Sequence, residues 1–209
     1  MAHIAANRTA RRTQAQRRAS SEQRVLIALA ELIVEQGVRQ TTLTDIAERA
    51  GCSHTLIVHL FGSKAALLQR FTENVDEFFV NWITGAQADR SGGDALREII
   101  TSFAQFVKDP NPNYRVNLVL WCESLIGSAP ELEQWRSRWD ERFHSEITAL
   151  IKRGARDGSI RSDVRPTYLG NAVVNILRGV AIDAISGTRP ASAAASVAQL
   201  RLIDELLRG

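Results

Sequence analysis

Only two cysteines and four histidines occur among the 209 residues, and no long apolar run does. Nothing approaches the roughly 20 consecutive apolar residues of a membrane span, and arginines occupy the N-terminal stretch where a signal peptide needs an apolar core. A cytoplasmic chain with no membrane partner is therefore expected. Cys52 and Cys122 are then most simply reduced and buried, with a redox switch as the sharper alternative. His3, His54, His59 and His144 fall at no metal-ligand spacing and gather no carboxylates, so neither a metal nor another cofactor is expected. A Gly-rich phosphate loop, a nucleophile elbow and a His-Glu-x-x-His motif are all missing, which speaks against an enzyme. No stretch alternates apolar with polar residues, and no Asn-Gly or Asp-Gly turn joins β-branched runs. The fold class that remains is all-α.

What is present begins with charge. Residues 1–70 hold ten Lys/Arg against five acids, a net of +5, whereas the remainder holds 16 against 18, a net of −2. A basic end suits a phosphate-rich partner. Arg11, Arg12, Arg17 and Arg18 lie in an opening segment with no apolar period, read as a mobile basic arm over 1–19 or, more blandly, as a solubilising tail.

Helical periodicity accounts for the rest, in nine segments. The first starts near Ser20, with Gln23 completing a capping box, and ends at Gly37. Two short helices follow between Thr42 and Phe61. The fourth starts after Ser63 and places Leu67, Phe71, Val75, Phe78 and Trp82 on one face. Ser91-Gly92-Gly93 breaks the chain before a fifth helix carrying Leu96, Ile99, Ile100, Phe103, Phe106 and Val107, which Pro110-Asn111-Pro112 stops. A sixth carries Val116, Val119, Leu120 and Trp121. Ser128 to Glu131 reads as a capping box for a long seventh, ended by Asp157-Gly158. Pro166 opens an eighth, and a ninth carries Val197, Leu200, Ile203, Leu206 and Leu207.

Residues Thr42 to Lys64 carry the strongest signal. Thr42 and Asp45 form a capping box ahead of Leu43, Ile46, Ala47 and Ala50; Gly51 turns the chain; Ser53 caps a second helix whose Ile57, Leu60 and Phe61 face inward. Two short helices joined by a tight turn make a helix-turn-helix, whose second helix enters the DNA major groove. The stretch from about Val25 to Leu68 resembles the DNA-binding region of the tetracycline-repressor (TetR) family. Gly37, Thr41, Thr42, Asp45, Ile46, Ala47, Ala50, Gly51, Ser53, Ile57, Phe61, Ser63, Lys64 and Leu67 carry the likeness. Three positions depart from the pattern: Thr55 replaces a usual Gly, Leu56 a Thr or Ala, and Val58 a phosphate-binding Tyr.

The resemblance implies an N-terminal three-helix DNA-binding domain over 20–66 and a helical ligand-binding and dimerisation domain over 67–209. Ser53, His54, Thr55, Leu56, Val58 and His59 are the candidate readers of double-stranded DNA, with Thr42 and Lys64 as phosphate clamps; for Thr42 a cap alone would also explain the residue. As structural residues, His54 and His59 would be exposed helix positions with no role. Phe78, Trp82, Phe103, Phe106, Trp121 and Phe143 are an aromatic set that is either core or, with Asn117, Glu123, His144 and Asn175 nearby, the wall of a site for a small organic effector. The eighth helix is apolar almost all round. It is either a central core helix or, with the ninth, a homodimer interface through Val173, Ile176, Val180, Leu200, Ile203 and Leu207. The function expected is a repressor released by its ligand from an inverted-repeat operator. A sequence-tolerant DNA-coating protein and a helical ligand-binding protein that no longer binds DNA are the alternatives.

Overall fold

The computed structural model describes residues 13–87, 89–108, 112–127, 129–186, and 201, 203, 205 and 207. Among these residues there are eight helices and no strand: α1 (Gln14–Gln40), α2 (Leu43–Ala50), α3 (His54–Phe61), α4 (Lys64–Gln87), α5 (Gly92–Lys108), α6 (Pro112–Leu125), α7 (Pro130–Asp157) and α8 (Pro166–Ser186). The expected ninth helix is represented by residues 201, 203, 205 and 207, all helical; Leu200 lies outside the described residues. No helix among the described residues is long and apolar enough to cross a membrane.

Three helix starts differ from expectation, each for a local reason. α1 begins six residues before Ser20, because Thr13 accepts the Gln16 N–H while the Gln16 side chain accepts the Thr13 N–H, a complete capping box. Arg17 and Arg18 therefore sit on a helix rather than on an arm; Arg11 and Arg12 lie outside the described residues. α5 begins at Gly92 instead of after a break, capped by the Ser91 hydroxyl, which accepts the Asp94 N–H. A Cβ on Gly92 would fall 2.1 Å from the Gly154 nitrogen, so glycine there lets α5 cross α7 backbone to backbone. α7 is preceded by Ala129, which offers no side-chain cap; Pro130 in the first turn supplies the pre-set φ instead.

Two apolar cores result. The first joins α1, α2, Ile57 of α3 and the first half of α4 to Val116 and Leu120 of α6 and Leu132 and Trp135 of α7. α1 lies along α6 over much of its length, so the helix-turn-helix unit shares its core with the C-terminal helices. The second core gathers Phe79 and Ile83 of α4 with α5, α7, α8, Ile203 and Leu207. The expected α4 face is corrected by one residue at this junction: Phe79 is 5% exposed and stacks edge-on against Phe143 at 5.3 Å, whereas Phe78 is 43% exposed. The chain chooses the phenylalanine facing α5 and α7. Cys122 is exposed and Cys52 half-buried, both free, so the expectation of two buried thiols fails at Cys122, on the solvent side of α6.

Candidate DNA-reading surface and C-terminal polar cluster

α2 is fixed before α3 is placed. Thr42 accepts the Asp45 N–H at 3.2 Å and donates its hydroxyl to Asp45 Oδ2 at 2.8 Å, while its own N–H goes to the same oxygen at 2.9 Å. These bonds, led by the Thr42 N–H, hold the Asp45 carboxyl below its usual range. Gly51, at φ 63°, ends α2 in the left-handed region, and Ser53 accepts the Leu56 N–H at 3.1 Å to start α3. Arg49 reaches back from α2 to Glu35 at 2.7 Å and Glu31 at 3.2 Å on α1.

α3 then has one anchored side and one open side. Ile57 is fully buried and Leu60 and Phe61 are half-buried, while Ser53, His54, Thr55, Val58 and His59 are exposed and Leu56 is half-buried. Six expected readers thus lie on or at the edge of one solvent-facing helix surface. Lys64 is placed otherwise than as a free clamp. Its ammonium donates to the Val38 carbonyl at 2.6 Å, tying the start of α4 to the end of α1, and burial lowers its pKa against the pull of Glu131, Asp45 and Glu123. Sequence reasoning missed this because the acceptor is a main-chain oxygen 26 residues away.

Beside that tie, α1 bends. Gly37 sits at φ 81°, ψ 168°, a conformation essentially confined to glycine, and a Cβ there would meet Glu123 Oε1 at 2.5 Å. Thr41 is buried and donates to the Gly37 carbonyl at 2.8 Å. Glu123 of α6 therefore touches α1 and acts electrostatically on Lys64, rather than lining an inner cavity.

The nominated effector residues divide. Phe143 is core; Phe78 and Asn175 face outward; the Phe106 side chain lies outside the described residues. Trp82 donates to Ser102 at 2.7 Å, and Phe103 is half-buried against the second core. A cleft of about 360 Å³ opens elsewhere, between Leu68, Gln69 and Thr72 of α4 and Pro130, Trp135 and Arg138 of α7, and it uses none of the nominated residues.

Trp121 and His144 belong to a different arrangement, with Asp140 at its centre. Asp140 Oδ1 accepts from Trp121 Nε1 at 2.9 Å and from Arg178 Nη2, and Oδ2 accepts from Arg136 at 3.3 Å. The Arg178 guanidinium lies over the Trp121 ring, 4.9 Å from its centroid. Burial, then Arg178, lowers the His144 pKa, which disfavours the protonated ring. Asn117 Oδ1, His144 Nδ1 and the Nε atoms of Arg136 and Arg178 are buried without a hydrogen-bond partner. Arg136, Asp140 and Arg178 were not legible as a group, because sequence spacing says nothing of how α7 meets α8.

The dimer residues also need correction. Val173 and Val180 are 0% and 1% exposed in the single chain; Val173 packs with Ile203 and Leu207 against α5 and α7, and Ile176 is half-buried there. The exposed stripe of α8 is another one, Tyr168, Asn175, Gly179 and Ile182.

Comparison with known proteins gives three kinds of match. Residues 25–71 match the family model of bacterial regulatory proteins, tetR family. The HTH-type transcriptional repressor KstR2 of Rhodococcus jostii is 24% identical over 136 residues, 65% of this chain and 65% of that protein. A TetR-family transcriptional regulator from Agrobacterium tumefaciens superposes with a TM-score of 0.80 at 18% identity, covering 92% of this chain and all of that one. The transcriptional regulator FadR from Bacillus subtilis, solved with stearoyl-CoA, gives a TM-score of 0.69 at 18% identity over 88% of this chain and 98% of that one.

Proposed function

This chain belongs to the tetR family of bacterial regulatory proteins, and on that premise we propose that it is a repressor that two copies form on an inverted-repeat operator and that a small organic ligand releases. The observation that carries the reading is α3: Ile57 anchors it while His54, Thr55, Val58 and His59 stand in solvent, a protruding helix of the size a major groove admits. Thr55 and the two histidines can donate to base edges or phosphates, and Val58 and Leu56 can meet thymine methyls. Arg17 and Arg18, at the N-terminal end of α1, add sequence-independent attraction to phosphate.

Release by a ligand rests on the α1–α6 contact. α6 carries Trp121 toward the polar cluster and Glu123 toward Gly37. A ligand that preferred a shifted α6 would move α1, and with it the helix-turn-helix, out of half-site spacing. A relative solved with stearoyl-CoA supports a fold that takes small ligands. Dimerisation would use the outward stripe of α8, where Gly179, with nothing within 4 Å of an added Cβ, leaves room for close approach and Tyr168 and Ile182 offer apolar area.

Fluorescence anisotropy on DNA from upstream of the gene tests the whole reading. Binding of two chains per site, weakened by His59→Ala and by a shuffled half-site, is expected. Equal affinity for shuffled DNA would favour the DNA-coating alternative.

A further inference from the structure

The cluster around Asp140 holds more cation than it can pair. Arg136 and Arg178 converge on one carboxylate, with side chains 25% and 17% exposed and Asp140 20% exposed. His144 adds no second anion. The charged groups that act on Arg178 are Asp140, which favours its charge, and Arg136, which opposes it, and burial lowers its pKa further. Each guanidinium leaves its Nε–H buried and unpartnered, and His144, close enough to feel both Arg178 and Asp140, leaves its Nδ1 buried and unpartnered too. Buried cations with unused donors are costly unless an acceptor arrives. Two converging guanidiniums suit an acceptor that is anionic and planar, because a carboxylate offers two oxygens to a guanidinium fork. The neighbouring indole of Trp121 is half-buried, offering apolar surface to the remainder of such a molecule.

We infer that the junction of α6, α7 and α8 binds the carboxylate of a small organic acid, taken by Arg136 and Arg178 with Trp121 against its apolar body. The inference rests on the ligand-released reading for its role, but not for its chemistry. Bound there, the acid competes with Asp140 for Arg178 and loosens the Trp121–Asp140 bond, so α6 is the element it shifts.

The probes are hexanoate and phenylacetate, set against hexanol, hexylamine and hexyl phosphate, with tryptophan emission and thermal midpoint as readouts on the full chain. Both carboxylates should change the emission and raise the midpoint while hexanol and hexylamine do neither. Arg178→Gln and Arg136→Gln should each weaken carboxylate binding about tenfold or more, the loss expected for one charge-assisted hydrogen bond. Should Arg178→Gln fail to fold, Arg136→Gln and Asp140→Asn decide, the latter by tightening carboxylate binding as the competing anion is removed. Carboxylates that do not bind at millimolar concentration, that bind no better than hexanol, or that bind every variant equally overturn the site; tighter binding of hexyl phosphate overturns the carboxylate class. Operator release is measured separately. Arginine-dependent carboxylate binding that leaves DNA held supports the site and removes its regulatory role, and release by an uncharged compound indifferent to both arginines keeps the repressor and overturns the site.

Discussion

Replacing Gly37 by alanine should damage the joint between the DNA-reading unit and the C-terminal helices. Two penalties are separable there. The backbone at φ 81°, ψ 168° is essentially closed to residues with a Cβ and costs about 1–3 kcal/mol. The added Cβ also lies 2.5 Å from Glu123 Oε1, but that oxygen ends a flexible side chain and can swing away. The backbone penalty therefore dominates. For a chain of this size about 1–3 kcal/mol lowers the thermal midpoint by roughly 2–12 °C. Glu123→Ala alone should leave the midpoint nearly unchanged, and Gly37→Ala with Glu123→Ala should recover only a minor part of the loss. Circular-dichroism melts of the three variants check this. A Gly37→Ala chain as stable as the parent, or one fully rescued by Glu123→Ala, would refute the argument from backbone conformation.

Further outcomes follow from single sites. Ser53→Ala removes the cap of α3 and should cost about 1 kcal/mol in urea unfolding, with DNA affinity falling as the reading helix frays. Gly92→Ala forces a Cβ onto the Gly154 backbone and should cost about 1–3 kcal/mol, visible as a lower unfolding midpoint; an unchanged midpoint would show that α5 and α7 do not cross as described. Burial raises the Asp76 pKa, so its ionised form is disfavoured in the fold at neutral pH; Asp76→Asn, which keeps an acceptor for the Trp135 indole at 3.1 Å, should stabilise the chain at pH 7, with the gain vanishing as pH falls toward 3.8. His144 runs the same way for a base. Its folded pKa lies below the unfolded value of 6.5, so the unfolded chain takes up the proton first and stability should drop as pH falls below 6.5, a drop that His144→Gln should reduce.

Within the helix-turn-helix the sequence displayed what depends on neighbours a few residues apart, although the equally local Thr13–Gln16 box that starts α1 was missed. The Thr42–Asp45 box, the Gly51 turn, the Ser53 cap and the buried Ile57 all follow from spacing within one or two turns. Single-helix patterns misled where two helices compete for a face. Phe78 and Phe79 are both apolar, and only the position of α5 and α7 selects Phe79. Val173 reads from sequence as interface or core, and its place in the core is set by Phe143, Ile147 and Leu150 on a helix some 30 residues earlier. Glycines at 92 and 93 look like a chain break until the Gly92–Gly154 crossing gives them a packing reason. The Asp140 cluster lay deepest, because its arginines are 42 residues apart and meet only through the antiparallel packing of α7 and α8.

Quantitative DNA binding with α3 variants tests the central claim most directly. Anisotropy titrations of the parent chain, His59→Ala and a Thr55→Ala/Val58→Ala double variant would be run against the upstream inverted repeat and against shuffled DNA, across a range of salt. The account predicts that the parent prefers the repeat by at least about a thousandfold, and that both variants lose most of that preference while retaining their fold by circular dichroism. A preference that survives both variants undiminished would contradict it, since sequence would then be read by something other than α3.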